Sequence, residues 1–226
     1  EGLQPPNEIR WSGETRAANA AFHAWSDALP QTPGAVQMGA VMAHLREVLP
    51  EEAILANGAG NYATWVHRFW RFRRFGTQLA PTSGSMGYGL PAAIAAKLAR
   101  PQVPVIAFAG DGCFQMTSQE FGTAVQAGAA VVLLVVDNGI YGTIRMHQER
   151  HYPGRVSGTM LANPDFAALA RAHGGHGETV RETADFAQAF ARAMAAGKPA
   201  LIHILTDPEA ITPTATISSL RAAPKA

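Results

Sequence analysis

VPVIAFAGDGCF occupies residues 103–114. Its first seven residues are apolar or proline, the pattern of a strand covered on both faces, and it then runs into Asp111, held between Gly110 and Gly112. A carboxylate at the end of a buried strand is costly to desolvate unless something neutralises it. A second run, AVVLLVVDN at 130–138, is the strongest strand signal in the chain and ends on Asn138. TSQEFGTAVQAG (117–128) lies between them with helical character. Strand, helix, strand is one crossover unit, and its right-handed form brings both strand ends to the same edge of a parallel sheet.

The pattern extends in both directions. AILAN (53–57) and PALIHILTD (199–207) read as further buried strands. AVQMGAVMAHLREVL (35–49) has helical spacing and stops at Pro50, and GAGNYATWVHRFW (58–70) is a glycine turn opening a helix. LPAAIAAKLA (90–99) follows the turn TSGSMG (82–87), with Pro91 tolerated in its first turn. NPDFAALARAHGG (163–175) carries Asn163 as N-cap and Pro164 at the first helical position, and TADFAQAFARAMAAG (183–197) repeats that logic with Thr183 and Gly197. Apolar strands alternating with helices predict an α/β fold, a doubly wound parallel sheet of about six strands with helices on both faces. One domain is expected over 34–205. Residues 1–33, with Pro5 and Pro6 and a short helical pattern at Ala17–Leu29, read as a linker and the end of an upstream domain, and 206–226 as an extended tail.

Composition removes several classes of function. The 226 residues are 47% hydrophobic and 15% charged with a net charge of +1, which describes a globular protein rather than a nucleic-acid binder or a disordered chain. The longest apolar stretch, AAVVLLVV (129–136), is too short to cross a bilayer, so no membrane partner is expected. Cys113 is the single cysteine, which excludes an internal disulfide and points to a reducing, cytoplasmic compartment. HRFWRFRRF (67–75) mixes basic and aromatic residues as single-strand binders do, but without a second basic cluster it fits a subunit or domain interface better. HGGHG (173–177) reads as a helix exit, and Cys113 as a small residue chosen for space.

Asp111 and Asn138 offer one carboxylate and one amide carbonyl, hard oxygen ligands suited to Mg²⁺ or Ca²⁺ rather than zinc. Two side chains cannot complete an octahedron at about 2.1 Å, and phosphate oxygens and water normally do so. Gly110 and Gly112, and then Gly139 and Gly142, would let backbone amides close on an anion, with the dipole of a helix starting near Thr117 adding to the attraction. For either residue alone the plain alternative is a turn aspartate or a capping asparagine.

The run from GDG (110–112) to DNGIYG (137–142) resembles the cofactor motif of the thiamine diphosphate-dependent enzymes of the acetolactate synthase and pyruvate decarboxylase type. NGAGNYATW (57–65) and TSGSMGYGLPAA (82–93) match further segments of that family in the same order, so the likeness covers nearly all of 34–205. It implies that Asp111, Asn138 and the Ile140 carbonyl hold Mg²⁺. It implies that Gly60, Asn61, Tyr62, Gly112, Cys113, Tyr141 and Gly142 meet thiamine diphosphate. Met86 then stands as the apolar wedge that keeps the cofactor bent, and the Gly84 carbonyl as acceptor for its pyrimidine amine. Thr143 and His147 are candidates for the substrate side, with His147 equally readable as a helix-surface residue.

The implied activity is decarboxylation or carboligation of a 2-keto acid. No catalytic side chain is expected in this chain, because in the family the activating glutamate lies on a pyrimidine-binding domain, here expected upstream or in a partner chain of a homodimer or homotetramer. FAD in a middle domain is left open. Two departures touch the substrate pocket: Met146–His147 stands where acetolactate synthases carry Gln-Trp, and Asn61–Tyr62 where they usually have Gln and His. The alternatives are a non-catalytic diphosphate-binding module and a dinucleotide-binding domain. GAGNYA fits the dinucleotide fingerprint, but that fingerprint needs an acid roughly twenty residues on, and no Asp or Glu occurs between Glu52 and Asp111.

Overall fold

The computed structural model describes Gln4 and residues 9–222, so the Pro5–Pro6 linker and the last four residues of the expected tail lie outside the described residues. In chain order the elements are α1 (Ser12–Asp27), α2 (Met38–Val48), β1 (Ile54–Asn57), α3 (Ala63–Phe69), β2 (Gln78–Leu79), α4 (Gly89–Ala99), β3 (Val105–Gly110) and α5 (Asp111–Gln115). They continue with α6 (Glu120–Gln126), β4 (Val132–Asp137), α7 (Gly142–His151), α8 (Phe166–Ala172), β5 (His176–Val180), α9 (Thr183–Ala195), β6 (Ala200–Leu205) and α10 (Ile217–Ala222).

The six strands form one sheet in the order β2-β1-β3-β4-β6-β5, and every adjacent pair is parallel. From β1 the chain moves outward to β2, then returns to place β3 on the other side of β1. A crevice opens beyond the carboxyl ends of strands at such a reversal. Right-handed crossovers put α4, α6 and α8 on one face and α3 and α9 on the other, and α2 packs against both α3 and α9. The predicted doubly wound fold is therefore observed.

Strands β3 and β4 are buried along their whole length, which is why they appear in the sequence as unbroken apolar runs. Phe108, Leu133, Leu134 and Phe121 are fully enclosed, and burying side chains of this kind stabilises by about 1.5–3 kcal/mol each.

Several local expectations are corrected. Strand β3 stops at Gly110, and Asp111 is the first residue of the short helix α5 rather than the last of a strand; the nearest helix start is at Asp111, not Thr117. Asn163 is not the cap of α8. Asp165 is, accepting from the Ala168 N–H at 2.9 Å. Thr183 likewise opens α9 without capping it: its hydroxyl accepts from the Gln37 N–H at 2.8 Å and donates to the Ala35 carbonyl at 2.9 Å.

HGGHG is a helix exit only in its first half. Gly174 takes a left-handed φ of 90° after α8, and His176 already begins β5. A side chain at Gly177 would run into the Ala167 backbone, so α8 can lie on this strand only because residue 177 is glycine. The basic-aromatic run is held internally: Arg71 pairs with Asp27, Arg73 and Arg74 with Glu51, and Arg68 donates to the Trp25 carbonyl.

The segment after β6 is not extended. It turns through the bridge Thr212–Ala215 into α10, which packs on α7. Ile140, Met146, Ile211 and Ile217 form a small apolar cluster there. Beside it Glu149 is fully buried, accepting from Arg145 Nε at 2.9 Å, from Arg221 at 2.7 and 2.9 Å, and from the Gly154 N–H at 2.8 Å.

Candidate functional site

A cleft of about 260 Å³ lies at the carboxyl edge of the sheet. It is built from the turns that leave β1, β3, β4 and β6. Of the residues expected at a cofactor or metal, Gly60, Asn61, Tyr62, Gly84, Met86, Asp111, Gly112, Cys113, Asn138, Ile140, Tyr141 and Gly142 all line it, and so does Thr143. Segments far apart in sequence thus meet in one place, because neighbouring parallel strands end side by side. His147 does not line the cleft. It is exposed on α7, its ring stacked near that of His151.

Asp111 is only 3% exposed. Its Oδ1 accepts from the Gly112 N–H at 2.9 Å, and its Oδ2 from the Gly139 N–H at 2.9 Å and Asn163 Nδ2 at 2.8 Å. Burial pushes the Asp111 carboxyl up to about 6, opposed by the Asn163 hydrogen bond and reinforced by the neighbouring Asp137. Burial raises Asp137 too, but hydrogen bonds led by His203 outweigh it and hold that carboxyl below the usual range. Asn138 accepts from the Ile140 N–H at 3.2 Å through its side-chain oxygen, an Asx turn that needs the left-handed φ of 68° at Gly139.

The donor set of Asp111, the Asn138 amide and the Ile140 carbonyl consists of hard oxygens only, which fits a divalent cation of the Mg²⁺ type with further oxygens supplied by a ligand. Among the described residues no three His, Cys, Asp or Glu side chains gather as a metal site. Any cation here would therefore lean on amide, backbone and ligand oxygens.

The glycines at 110 and 112 make room for aromatic rings. A side-chain carbon at Gly110 would lie 2.9 Å from the Tyr62 ring, and one at Gly112 would lie 2.5 Å from the ring of Tyr141. Two aromatic rings thus pack close over the α-carbons of these glycines, and the Gly112 N–H donates to Asp111. Tyr62 is buried with its hydroxyl 3.4 Å from the Cys113 sulfur. Burial, with the adjacent thiol, pushes the Tyr62 phenol well above its ordinary range, so it stays a neutral hydroxyl. Across the cleft the Thr143 hydroxyl donates to the Asn61 side-chain Oδ1 at 2.9 Å, and Asn61 Nδ2 lies 3.5 Å from the Met146 sulfur.

Sequence reasoning missed Asp137, Asn163 and His203 around Asp111, and the lining residues Thr206, Ala210 and Ile211 from the C-terminal segment. Asp137 could have been found by the test applied to Asp111, since it too is an acid closing a buried strand. Nothing in the sequence marks the others.

A family model described as the thiamine pyrophosphate enzyme C-terminal TPP binding domain matches residues 58–204, well over half of the chain. The chain belongs to this family.

Among similar proteins are the acetolactate synthase of Mycobacterium leprae, 38% identical over 151 residues, and the mitochondrial acetolactate synthase catalytic subunit of Saccharomyces cerevisiae, 32% identical over 198. These matches cover 64% and 83% of this chain but only 24% and 29% of the two relatives. The solved structure of the thiamine diphosphate-dependent 4-hydroxybenzoylformate decarboxylase of Rhodococcus jostii RHA1 superposes with a TM-score of 0.73 at 31% identity, covering 79% of this chain and 34% of that one. The chain thus spans about a quarter to a third of the length of the proteins it matches. Its three strongest sequence motifs all fall inside or at the edge of the family match.

Proposed function

We infer that the cleft holds thiamine diphosphate through a Mg²⁺ ion ligated by Asp111, Asn138 and the Ile140 carbonyl, within an enzyme that decarboxylates or ligates a 2-keto acid. The observation that carries this is the meeting of Asp111 with the Asn138–Ile140 turn at the ends of the adjacent strands β3 and β4, both on one cleft. When bound, the cofactor supplies an electron sink for the pair left behind as carbon dioxide departs.

The residues of this chain bind and orient. Asn61, Tyr62, Cys113, Tyr141 and the backbone at Gly60, Gly112 and Gly142 surround the diphosphate end, and Gly84 and Met86 the ring end. Met86 keeps 39% of its surface exposed at the cleft, as a side chain that presses on a ligand must. The Thr143–Asn61 pair faces the substrate side. The cleft falls slightly below the roughly 300–1,000 Å³ of typical small-molecule sites, which agrees with a second wall from a pyrimidine-binding domain, upstream or in the other subunit of a cytoplasmic homodimer or homotetramer.

The test is calorimetric titration of the full-length enzyme with thiamine diphosphate, with Mg²⁺ or with a chelator. Asp111→Ala should weaken Mg²⁺-dependent binding by at least about 100-fold, because the cation loses its one charged protein ligand. Unchanged affinity would remove the metal assignment. Release of carbon dioxide across a panel of 2-keto acids then separates an enzyme from a binding module without turnover.

A further inference from the structure

The sequence pattern makes Asn163 a helix cap, and the structure gives it other work. Asn163 Nδ2 lies 2.8 Å from Asp111 Oδ2 and 2.7 Å from Asp137 Oδ1, while its own Oδ1 accepts from Gln115 Nε2 at 2.8 Å. That last bond fixes which way the amide faces, so both of its N–H groups go to the two acids. The Gly139 N–H is shared between the same two oxygens, at 2.9 Å from Asp111 Oδ2 and 2.8 Å from Asp137 Oδ1. Behind them His203 Nε2 sits 2.8 Å from Asp137 Oδ2, its ring edge-on to Phe166. Asp137 and His203 are both buried.

The segment that carries Asn163 is also joined to the turn that follows β4. Tyr141 N–H donates to the Thr159 carbonyl at 2.9 Å, and Leu161 N–H to the Gly139 carbonyl at 2.9 Å, an antiparallel bridge between Ile140 and Met160. His203 on β6, Asp137 on β4, Asn163 on the 159–163 segment and Asp111 at the start of α5 therefore form one chain of hydrogen bonds leading to the cleft.

Each carboxylate oxygen has two acceptor sites. Both sites of Asp111 Oδ2 are filled, by Gly139 and Asn163. Among the described residues Oδ1 accepts only the Gly112 N–H and retains one site. We propose that Asn163 is a positioning residue of the metal site: with Asp137 and His203 behind it, it occupies Asp111 Oδ2 and leaves Oδ1 as the oxygen that takes the cation. This rests on the Mg²⁺–thiamine diphosphate reading above and extends it to residues that do not touch the metal. Neutral donors suit the task at Asp111, since the Asn163 amide and the Gly139 N–H orient its carboxylate without placing a competing cation beside it. Partners of this kind, one bond removed from a metal, typically change its affinity 10–100-fold when lost.

The experiment measures the Mg²⁺ dependence of cofactor binding in the full-length enzyme. Mg²⁺ is titrated at saturating thiamine diphosphate, followed by tryptophan fluorescence, since Trp65 lines the cleft, and by calorimetry. The melting temperature of each metal-free protein is recorded alongside. Asn163→Ala should raise the apparent Kd for Mg²⁺ by about 10–100-fold. His203→Phe, which removes the donor to Asp137 but keeps a ring, should shift it in the same direction by a smaller factor. His203→Gln, whose amide can still donate, should stay within about threefold of wild type. Should Asn163→Ala fail to fold, the two His203 variants decide the matter. A Kd within twofold of wild type for both Asn163→Ala and His203→Phe overturns the proposal, as does a loss that follows melting temperature alone and is equal in His203→Gln. A wild-type enzyme with no Mg²⁺-dependent binding would instead bring down the underlying cofactor assignment, and this inference with it.

Discussion

Two buried acids less than forty residues apart in sequence are treated in opposite ways. Glu149 is 0% exposed and carries two guanidiniums, Arg145 and Arg221, with the Gly154 N–H filling a further acceptor site. The Arg221 hydrogen bonds pull its carboxyl from an ordinary 4.5 to about 2 against the opposing effect of burial. Asp111 is nearly as buried but among the described residues is met only by neutral donors and by another acid, and burial pushes it up to about 6. Glu149 is electrically complete within the chain. Among the described residues Asp111 has no positive partner, and it lies on the cleft. A buried charge left incomplete is a candidate for function, whereas one fully paired is a structural joint.

Stability should separate the two most clearly. Removing one partner from a buried ion pair strands the others and commonly costs about 3–5 kcal/mol. The partial exposure of Arg221, whose side chain is 44% accessible, moves Glu149→Ala toward the low end. With about 2–4 °C per kcal/mol for a domain of this size, the metal-free protein should melt roughly 6–12 °C lower. Asp111→Asn should leave that melting temperature within about 2 °C or raise it, since the substitution relieves an acid that has no cation. Equal losses in the two variants would erase the distinction.

A milder version of the same contrast needs only acid. The folded-state pKa of Glu149 lies below its unfolded value, so its contribution is complete above about 4.5 and disappears as pH falls toward about 2. The gap in melting temperature between wild type and Glu149→Gln should therefore be constant from pH 7 to 5 and shrink from pH 4.5 downward. A gap that widened with acid would contradict the pairing.

What the sequence made legible follows the same division. The buried parallel strands β1, β3, β4 and β6 could be read because burial on both faces demands unbroken apolar runs. Two strands escaped. Strand β2 is two residues long, and β5, HGETV, is only partly buried at the sheet edge and begins inside a glycine-rich stretch that also ends a helix. The cleft residues were legible because GDG and DNGIYG are contiguous motifs at strand ends, and the fold brings strand ends together. Asn163 was misread for a physical reason: an asparagine before proline satisfies the cap pattern, and only the tertiary path of the 159–163 segment reveals the acids it meets. The tail was misread because its prolines, Pro208 and Pro213, break structure locally, while α10 depends on a distant buried carboxylate. Side chains whose partners lie close in sequence, or at the end of a neighbouring strand, could be inferred; those joined across loops could not.

The smallest effect on stability is expected at Arg221, and it tests whether the joint at Glu149 is one unit or two. Without Arg221, Glu149 still accepts from Arg145 and from the Gly154 N–H, and the lost guanidinium was already partly in water. Arg221→Ala should therefore leave the global melting temperature within about 2 °C of wild type. Local behaviour should change more. Helix α10 is held to α7 by this ion pair and by the contact of Ile217 with the small cluster of Ile140, Met146 and Ile211. One of its attachments would be gone, and segments with few buried contacts open at free energies well below global unfolding. Proteolysis within 206–222 should accelerate several-fold, with cleavage in α7 unchanged. Because Ile211 both lines the cleft and belongs to that cluster, added thiamine diphosphate and Mg²⁺ should slow the cleavage again. Cleavage of wild type and Arg221→Ala at the same rate would mean that apolar packing alone holds α10, and that Glu149 needs Arg145 but not Arg221.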